Sequence, residues 1–398
     1  MTKTAAKQDR LWNPEFIELI ALSFITSFSF SLIHSLVSSY AVSFGAELTA
    51  AGTAVGIYSI AAMVVRPFGG FITDHYNKKK LLFLSTLLLG VSFLGYVFCR
   101  SISLLILLRI IHGVAFGINS TVNLALAVEY IPRSRTGEGL GYYGVGQVIS
   151  QIIGPPIGVA IKDATSYPAL FIGSSVLVFA GALLFFFIFP NTADPERKGP
   201  GILGGGTVTD FLKSLVAKEC IFYAVIGGLF SMSNGIVHSL LILLGDAKHI
   251  NNISLFLTVN AIVLFVLRLT VGKVLDRTNL LLVVTISLVT GAVSMGLLGV
   301  AGALPLVLAA GAIKAFGNVG GQISLQSACV KKVDAARVGV ASSTYYIGAD
   351  IGNGIGPILG GRVAESAGYA SAFFTMAGIF LAGAVVFIIY ELKHRTAE

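Results

Sequence analysis

Apolar residues run in blocks of about twenty or more along nearly the whole chain, separated by short clusters of charge, glycine and proline. A helix rises about 1.5 Å per residue and a hydrocarbon core is about 30 Å thick, so each block is long enough to cross a bilayer as one helix. The pattern predicts spans near residues 15–43, 50–72, 81–99, 102–131, 138–161, 168–190, 219–245, 251–273, 279–301, 304–330, 338–362 and 368–391. The expected fold class is an all-α membrane protein with twelve transmembrane helices. No stretch is left over for a soluble domain, and the first block is too long for a cleaved signal peptide and lacks its small-residue cleavage site.

Composition fits no soluble class: 55% of the 398 residues are hydrophobic, 12% are charged and the mean hydropathy is +0.86. The net charge of +8 does not mark a nucleic-acid binder, because the basic residues are sorted by loop. Lys3, Lys7, Arg10, Lys78, Lys79, Lys80, Arg133, Arg135, Arg197, Lys198, Lys213, Lys218, Lys331, Lys332, Arg337, Lys393 and Arg395 fall in alternate loops, which leaves the others only Arg100, Lys162, Lys248 and Arg362. Positive charge is retained on the cytoplasmic side, so both termini are expected there, in a multi-pass protein of the cell (inner) membrane. Cys99, Cys220 and Cys329 are too scattered for a disulfide framework or a metal cluster and read as small packing residues. A monomer in the bilayer is expected.

The chain also repeats itself. "SQIIGPPIGVAI" at 150–161 returns as "NGIGPILGGRV" at 353–363, with Gly356, Pro357 and Gly360 in place of Gly154, Pro155 and Gly158. The same shift carries Arg66 to Arg268, Gly70 to Gly272, Asp74 to Asp276, Arg135 to Arg337, Gly137 to Gly339, Tyr143 to Tyr345 and Gly146 to Gly348, and with a slip of two residues "IHSL" at 33–36 becomes "VHSL" at 237–240. A fixed offset over so many positions is a duplication. It divides the chain into bundles 1–190 and 219–398 joined by a cytoplasmic linker, 191–218, which is rich in glycine, proline and charge. Six spans per bundle give both the same orientation, related by an axis along the membrane normal, with a solute site expected between them near the midplane.

These repeated residues carry a resemblance. "GGFITDHYNKKK" at 69–80 resembles the loop after the second span of the major facilitator superfamily, although His75 and Asn77 depart from the usual Arg and Gly. "RIIHGVAFG" at 109–117 is similar to the fourth-span motif of proton-driven members, with His112 where Gln is common. Gly141, Ser150, Gly154, Pro155 and Gly158 resemble the fifth-span signature of the twelve-span drug:proton antiporters, with Ser150 and Val159 replacing glycines. The resemblance implies a secondary transporter working by alternating access. It implies further that the glycine and proline segment of span 5 and its mirror in span 11 (Gly356, Pro357, Gly360) line the seam between the halves. In lipid, small residues let backbones approach closely and Pro bends the span. Gly70, Asp74 and Asp276, with Arg133 and Arg135, are the expected cytoplasmic gate, a carboxylate being stabilised by Arg and by a helix N-terminus.

Charge within the spans is costly and marks candidate chemistry. Asp350 lies about halfway along span 11 and Lys314 about halfway along span 10, so they can pair, with protonation of Asp350 releasing Lys314; a purely structural ion pair is the rival reading. Arg109 and His34 share a depth in the outer half of spans 4 and 1, and His238 is the repeat counterpart of His34. Asp350, Lys314, Arg109 and His34 are the proton-coupling candidates. His34, His112, His238, Asn119, Asn123, Gln147, Gln151, Asn234, Gln322, Gln326 and Tyr346 are candidates to bind a solute, or to bond neighbouring helices instead. "GLGYYG" at 139–144 satisfies G-x-G-x-x-G, but no strand precedes it and a membrane helix surrounds it, so it is no dinucleotide site. No phosphate-binding loop and no metal-ligand cluster occurs in the sequence, so neither an enzyme nor a bound cofactor is expected. The expected partners are a small organic solute, protons and lipid. Proton-coupled export of a drug-like compound leads; a nutrient importer on the same fold and a non-transporting membrane receptor are the alternatives.

Overall fold

The structure, a computed structural model, describes residues 11–132, 135–190, 216–275, 279–333 and 338–395, without the side chains of residues 67, 69–75, 136–137, 268–275, 338–339 and 394–395. Among the described residues there are thirteen α-helices and no strand. They are α1 (Pro14–His34), α2 (Val37–Ser43), α3 (Leu48–His75), α4 (Lys78–Tyr96), α5 (Ile102–Tyr130), α6 (Thr136–Ala164), α7 (Tyr167–Ile188), α8 (Ile221–Lys248), α9 (Leu255–Leu275), α10 (Leu280–Val300), α11 (Leu304–Lys331), α12 (Val338–Ala367) and α13 (Tyr369–Arg395).

Ten of these are long and apolar enough to cross a membrane. The other two expected spans, α9 and α12, are helices as well. The described side chains of α9 form the apolar stretch Leu255–Leu267, whereas α12 falls short by composition, carrying Asp350, Asn353, Arg362 and Glu365 among many glycines. The first expected span, 15–43, is not one helix. It breaks at Ser35 and Leu36 and resumes as α2.

Contacts divide the chain into two compact units, Met1–His34 with Ala61–Gly204 and Ser35–Ile60 with Gly205–Glu398. The first cut falls at the break between α1 and α2. In the first unit α1 packs on α6, and α4 packs on α5 and α7. In the second, α8 packs on α12, and α10 packs on α11 and α13, so the duplicated sequence yields duplicated pairings. The second unit adds α2, which lies on α8 through a Ser38–Ser239 hydroxyl hydrogen bond of 2.8 Å, and the first half of α3, which lies on α12.

Glycine makes the closest of these pairings possible. A Cβ on Gly158 would run into the Leu32 carbonyl of α1, and one on Gly352 or Gly356 would run into the Gly228 or Met232 carbonyl of α8. Ser150 stands at the repeat position of Gly352 and is accommodated because its hydroxyl donates to the Gly146 carbonyl at 2.8 Å. Pro155 and Pro156 sit inside α6 without ending it. Outward-facing apolar side chains such as Phe187, 78% exposed, meet lipid, where exposure carries no hydrophobic penalty.

Candidate functional site

Each unit buries a cation in its interior. In the first unit α4 and α5 pack side by side, and the i, i+3 spacing of Arg109 and His112 puts both on one face of α5. Arg109 is fully buried, with Nη1 3.4 Å from His112 Nδ1 and Nη2 3.5 Å from Nδ1 of His34, the last residue of α1. Tyr96 of α4 places its hydroxyl 2.7 Å from the same His112 Nδ1. A guanidinium only donates, so both Nδ1 atoms accept and each neutral imidazole carries its proton on Nε2. Phe30 stacks on His34 with centroids 4.5 Å apart and on Phe116 at 5.8 Å, and stands nearly perpendicular to His112 at 5.9 Å. The result is a fixed positive charge surrounded by imidazole, phenol and phenyl rings.

In the second unit the buried cation is Lys314 of α11, 2% exposed. Its Nζ donates to Asn234 Oδ1 on α8, and Asn318 Nδ2, one turn along α11, donates to the same oxygen at 3.2 Å. His238 lies one turn from Asn234 on α8. Matching depth had pointed to Asp350 as the partner of Lys314; the contact formed is with the uncharged Asn234, while Asp350 is half-buried on α12 and has contacts of its own.

The other expected solute ligands divide by environment. Asn119 Nδ2 donates to Thr86 Oγ1 at 2.8 Å and approaches Ser85 Oγ at 3.3 Å, so its amide holds α5 to α4; Asn123 is buried one turn away. Gln147, Gln322 and Gln326 are half-buried and Gln151 is exposed. Gln326 Nε2 donates to the Tyr346 hydroxyl at 3.2 Å, and Tyr346 itself is 51% exposed.

Among the residues of the expected gate, Gly70 and Asp74 lie on α3 but their side chains are outside the described residues, as are Arg133 and Asp276 altogether. Arg135 is described: it is exposed and forms a bidentate pair with Glu138, both bonds 2.7 Å. Asn77, a departure from the motif, caps α4 by accepting from Lys80 N at 3.1 Å. Gly154 and Gly158 pack against Ser31 and Leu32 of α1, whereas the Pro357 carbonyl of α12 faces Gly52 of α3. Beside that contact lies one that sequence reasoning missed. The Glu365 carboxylate of α12 accepts from the Thr49 backbone N–H at 2.9 Å and from its hydroxyl at 2.6 Å, closing the first turn of α3.

Comparison with known proteins accounts for this organisation. The family model described as Major Facilitator Superfamily matches residues 19–352 and 224–398. The chain belongs to the Major Facilitator Superfamily. Similar relatives within it include the multidrug resistance protein MdtG of Proteus mirabilis (strain HI4320), 26% identical over 376 residues that cover 90% of this chain and 91% of that one. The multi-drug resistance efflux pump PmrA of Streptococcus pneumoniae is 27% identical over 194 residues, 48% of this chain and 47% of its own. Among solved structures, the nucleoside transporter NupG superposes with a TM-score of 0.79 at 14% identity, covering 95% of this chain and 99% of that one. A transporter of the POT family in complex with 5-aminolevulinic acid gives 0.81 at 12% identity, covering 95% and 96%. At such identities these structures establish the fold. The superfamily membership makes this chain a multi-pass membrane transporter of small molecules, not an enzyme.

Proposed function

We propose that this major facilitator protein exports amphipathic, drug-like organic compounds in exchange for protons, by alternating access. The working bodies are the repeated halves 1–190 and 219–398, joined through 191–218. The protein acts as a monomer in the inner membrane, with both termini cytoplasmic. The observation that carries the reading is the buried cluster in which Arg109 touches His112 and His34 and stands among aromatic rings. Titratable groups kept inside a lipid-spanning bundle are expensive and are held for ion or solute movement. The drug-like substrate class is supported by the whole-length likeness to the multidrug resistance protein MdtG, and the direction by the likeness to the efflux pump PmrA over 48% of the chain. Asp350, half-buried on α12, is the coupling carboxylate: its protonation changes the balance between the two access states, as an antiporter requires.

Everted membrane vesicles test this with a set of amphipathic compounds, one cationic, one neutral and one anionic. An imposed pH gradient should drive accumulation of at least one of them. Asp350→Asn should abolish that accumulation while leaving exchange of substrate for substrate intact. Full proton-driven transport by the variant would move the coupling to His34, Arg109 and His112. Accumulation driven in the opposite direction would make the protein an importer.

A further inference from the structure

The contacts of Lys314 leave a positive charge without a counter-charge. Among the described residues its polar contact is the bond to Asn234 Oδ1, and no carboxylate pairs with it. An ammonium carries three donors and one is used. Asn234 Oδ1 also accepts from Asn318 Nδ2, so the acceptor of this cluster is spent on two donors while the remaining N–H groups of Lys314 and the amide NH₂ of Asn234 are still available. The cluster is thus built of donors around a cation. Lys314 and Asn318 are 2% and 4% exposed, whereas Asn234 and His238 are half-buried, so the cluster is reached from its α8 side.

The repeat shows that the fold does not require this arrangement. The shift that carries Gly154 to Gly356 carries His112 to Lys314 and Phe116 to Asn318, and the slipped register that carries His34 to His238 carries Phe30 to Asn234. The same four positions therefore hold an aromatic cluster in the first unit, Phe30, His34, His112 and Phe116, and a cationic amide cradle in the second. Packing alone is satisfied by the aromatic set. The polar set carries the cost of a buried charge, which an anion would offset.

We propose that Lys314, Asn234 and Asn318 bind an acidic group of the transported compound, which makes the preferred substrates amphipathic carboxylates. The ammonium and the two amides supply charge-assisted hydrogen bonds to the carboxylate oxygens. The proposal rests on the transporter reading above and narrows it to one charge class.

The test uses the full-length protein in lipid nanodiscs, with 1-naphthylacetate, 4-phenylbutyrate and ibuprofen, each compared with its primary amide. Thermal unfolding and equilibrium binding should show at least one acid binding about tenfold or more tightly than its amide, the scale of hydrogen bonds to a charged group. Lys314→Gln should erase that difference, the acid binding no more tightly than its amide, and Lys314→Arg should keep part of it. Asn234→Asp, which sets a carboxylate against Lys314, should erase it as well and serves if Lys314→Gln does not fold. Equal binding of acids and amides by the unaltered protein overturns the proposal. So does an acid preference that survives in folded Lys314→Gln, or protection of equal size by sodium chloride alone, which would assign the cradle to an inorganic ion. Flux in vesicles separates the two readings: pH-driven transport that persists without any acid preference removes the cradle and leaves the exporter.

Discussion

Glu365 shows how much one side chain can decide. Its carboxylate accepts two hydrogen bonds from Thr49, and these hold its pKa below the usual carboxylate range. A lowered folded value means that the contact contributes above the ordinary carboxylate pKa and is lost as the pH falls through the lowered one. Acidification should therefore release the first turn of α3 from α12. Hydrogen-exchange protection at the amides of Thr49 to Thr53, taken relative to the intrinsic rate at each pH, should fall in Glu365→Gln at neutral pH, and in the unaltered protein only on acidification. Unchanged exchange in the variant would reduce Glu365 to a surface charge. Sequence could not have found this residue, because an acidic residue near a helix end is ordinary and its partner lies far along the chain. Arg109 and His34 were legible because charge inside a span is rare. The partner of Lys314 was not, because depth fixes one coordinate of a helical residue while its direction around the helix axis chooses between Asn234 and Asp350.

At the level of elements, the closeness of α8 and α12 depends on which glycines face a backbone and which face open space. Gly356 meets the Met232 carbonyl, whereas nothing lies within 4 Å of a Cβ placed on Gly144. Ala raises helix propensity by up to about 1 kcal/mol over Gly, but forcing atoms into a filled contact costs about 1 to 3 kcal/mol. Gly356→Ala should thus lower the unfolding temperature and Gly144→Ala should leave it unchanged or raise it, measured in the same detergent. Equal effects would mean that the helices relax freely around both sites. The Gly and Pro repeat was visible in sequence as a pattern, and so were most spans, because lipid enforces length and apolarity. The break between α1 and α2 was invisible, since Ser35 and Leu36 interrupt no apolar run. α12 reads poorly as a span for the opposite reason: the glycines and polar side chains that let it pack against α8 and α3 lower its hydropathy.

For the molecule as a whole, the distribution of Lys and Arg predicts an orientation that the native thiols cannot report. Cys220 and Cys329 are fully buried, each with its sulfur against the other's backbone carbonyl at 3.4 and 3.8 Å, and Cys99 is 6% exposed. A membrane-impermeant thiol reagent should leave all three unmodified in the folded protein. Placed thiols are needed instead, at exposed positions on the two expected sides: Ser366 at the end of α12, and Lys331 at the end of α11 in a basic loop. Retention of basic loops in the cytoplasm leads to Ser366→Cys being labelled in intact cells and Lys331→Cys only after the membrane is opened. The reverse result would invert the topology, and with it the side from which Glu365 senses acid and the direction in which a proton reaching Asp350 has travelled.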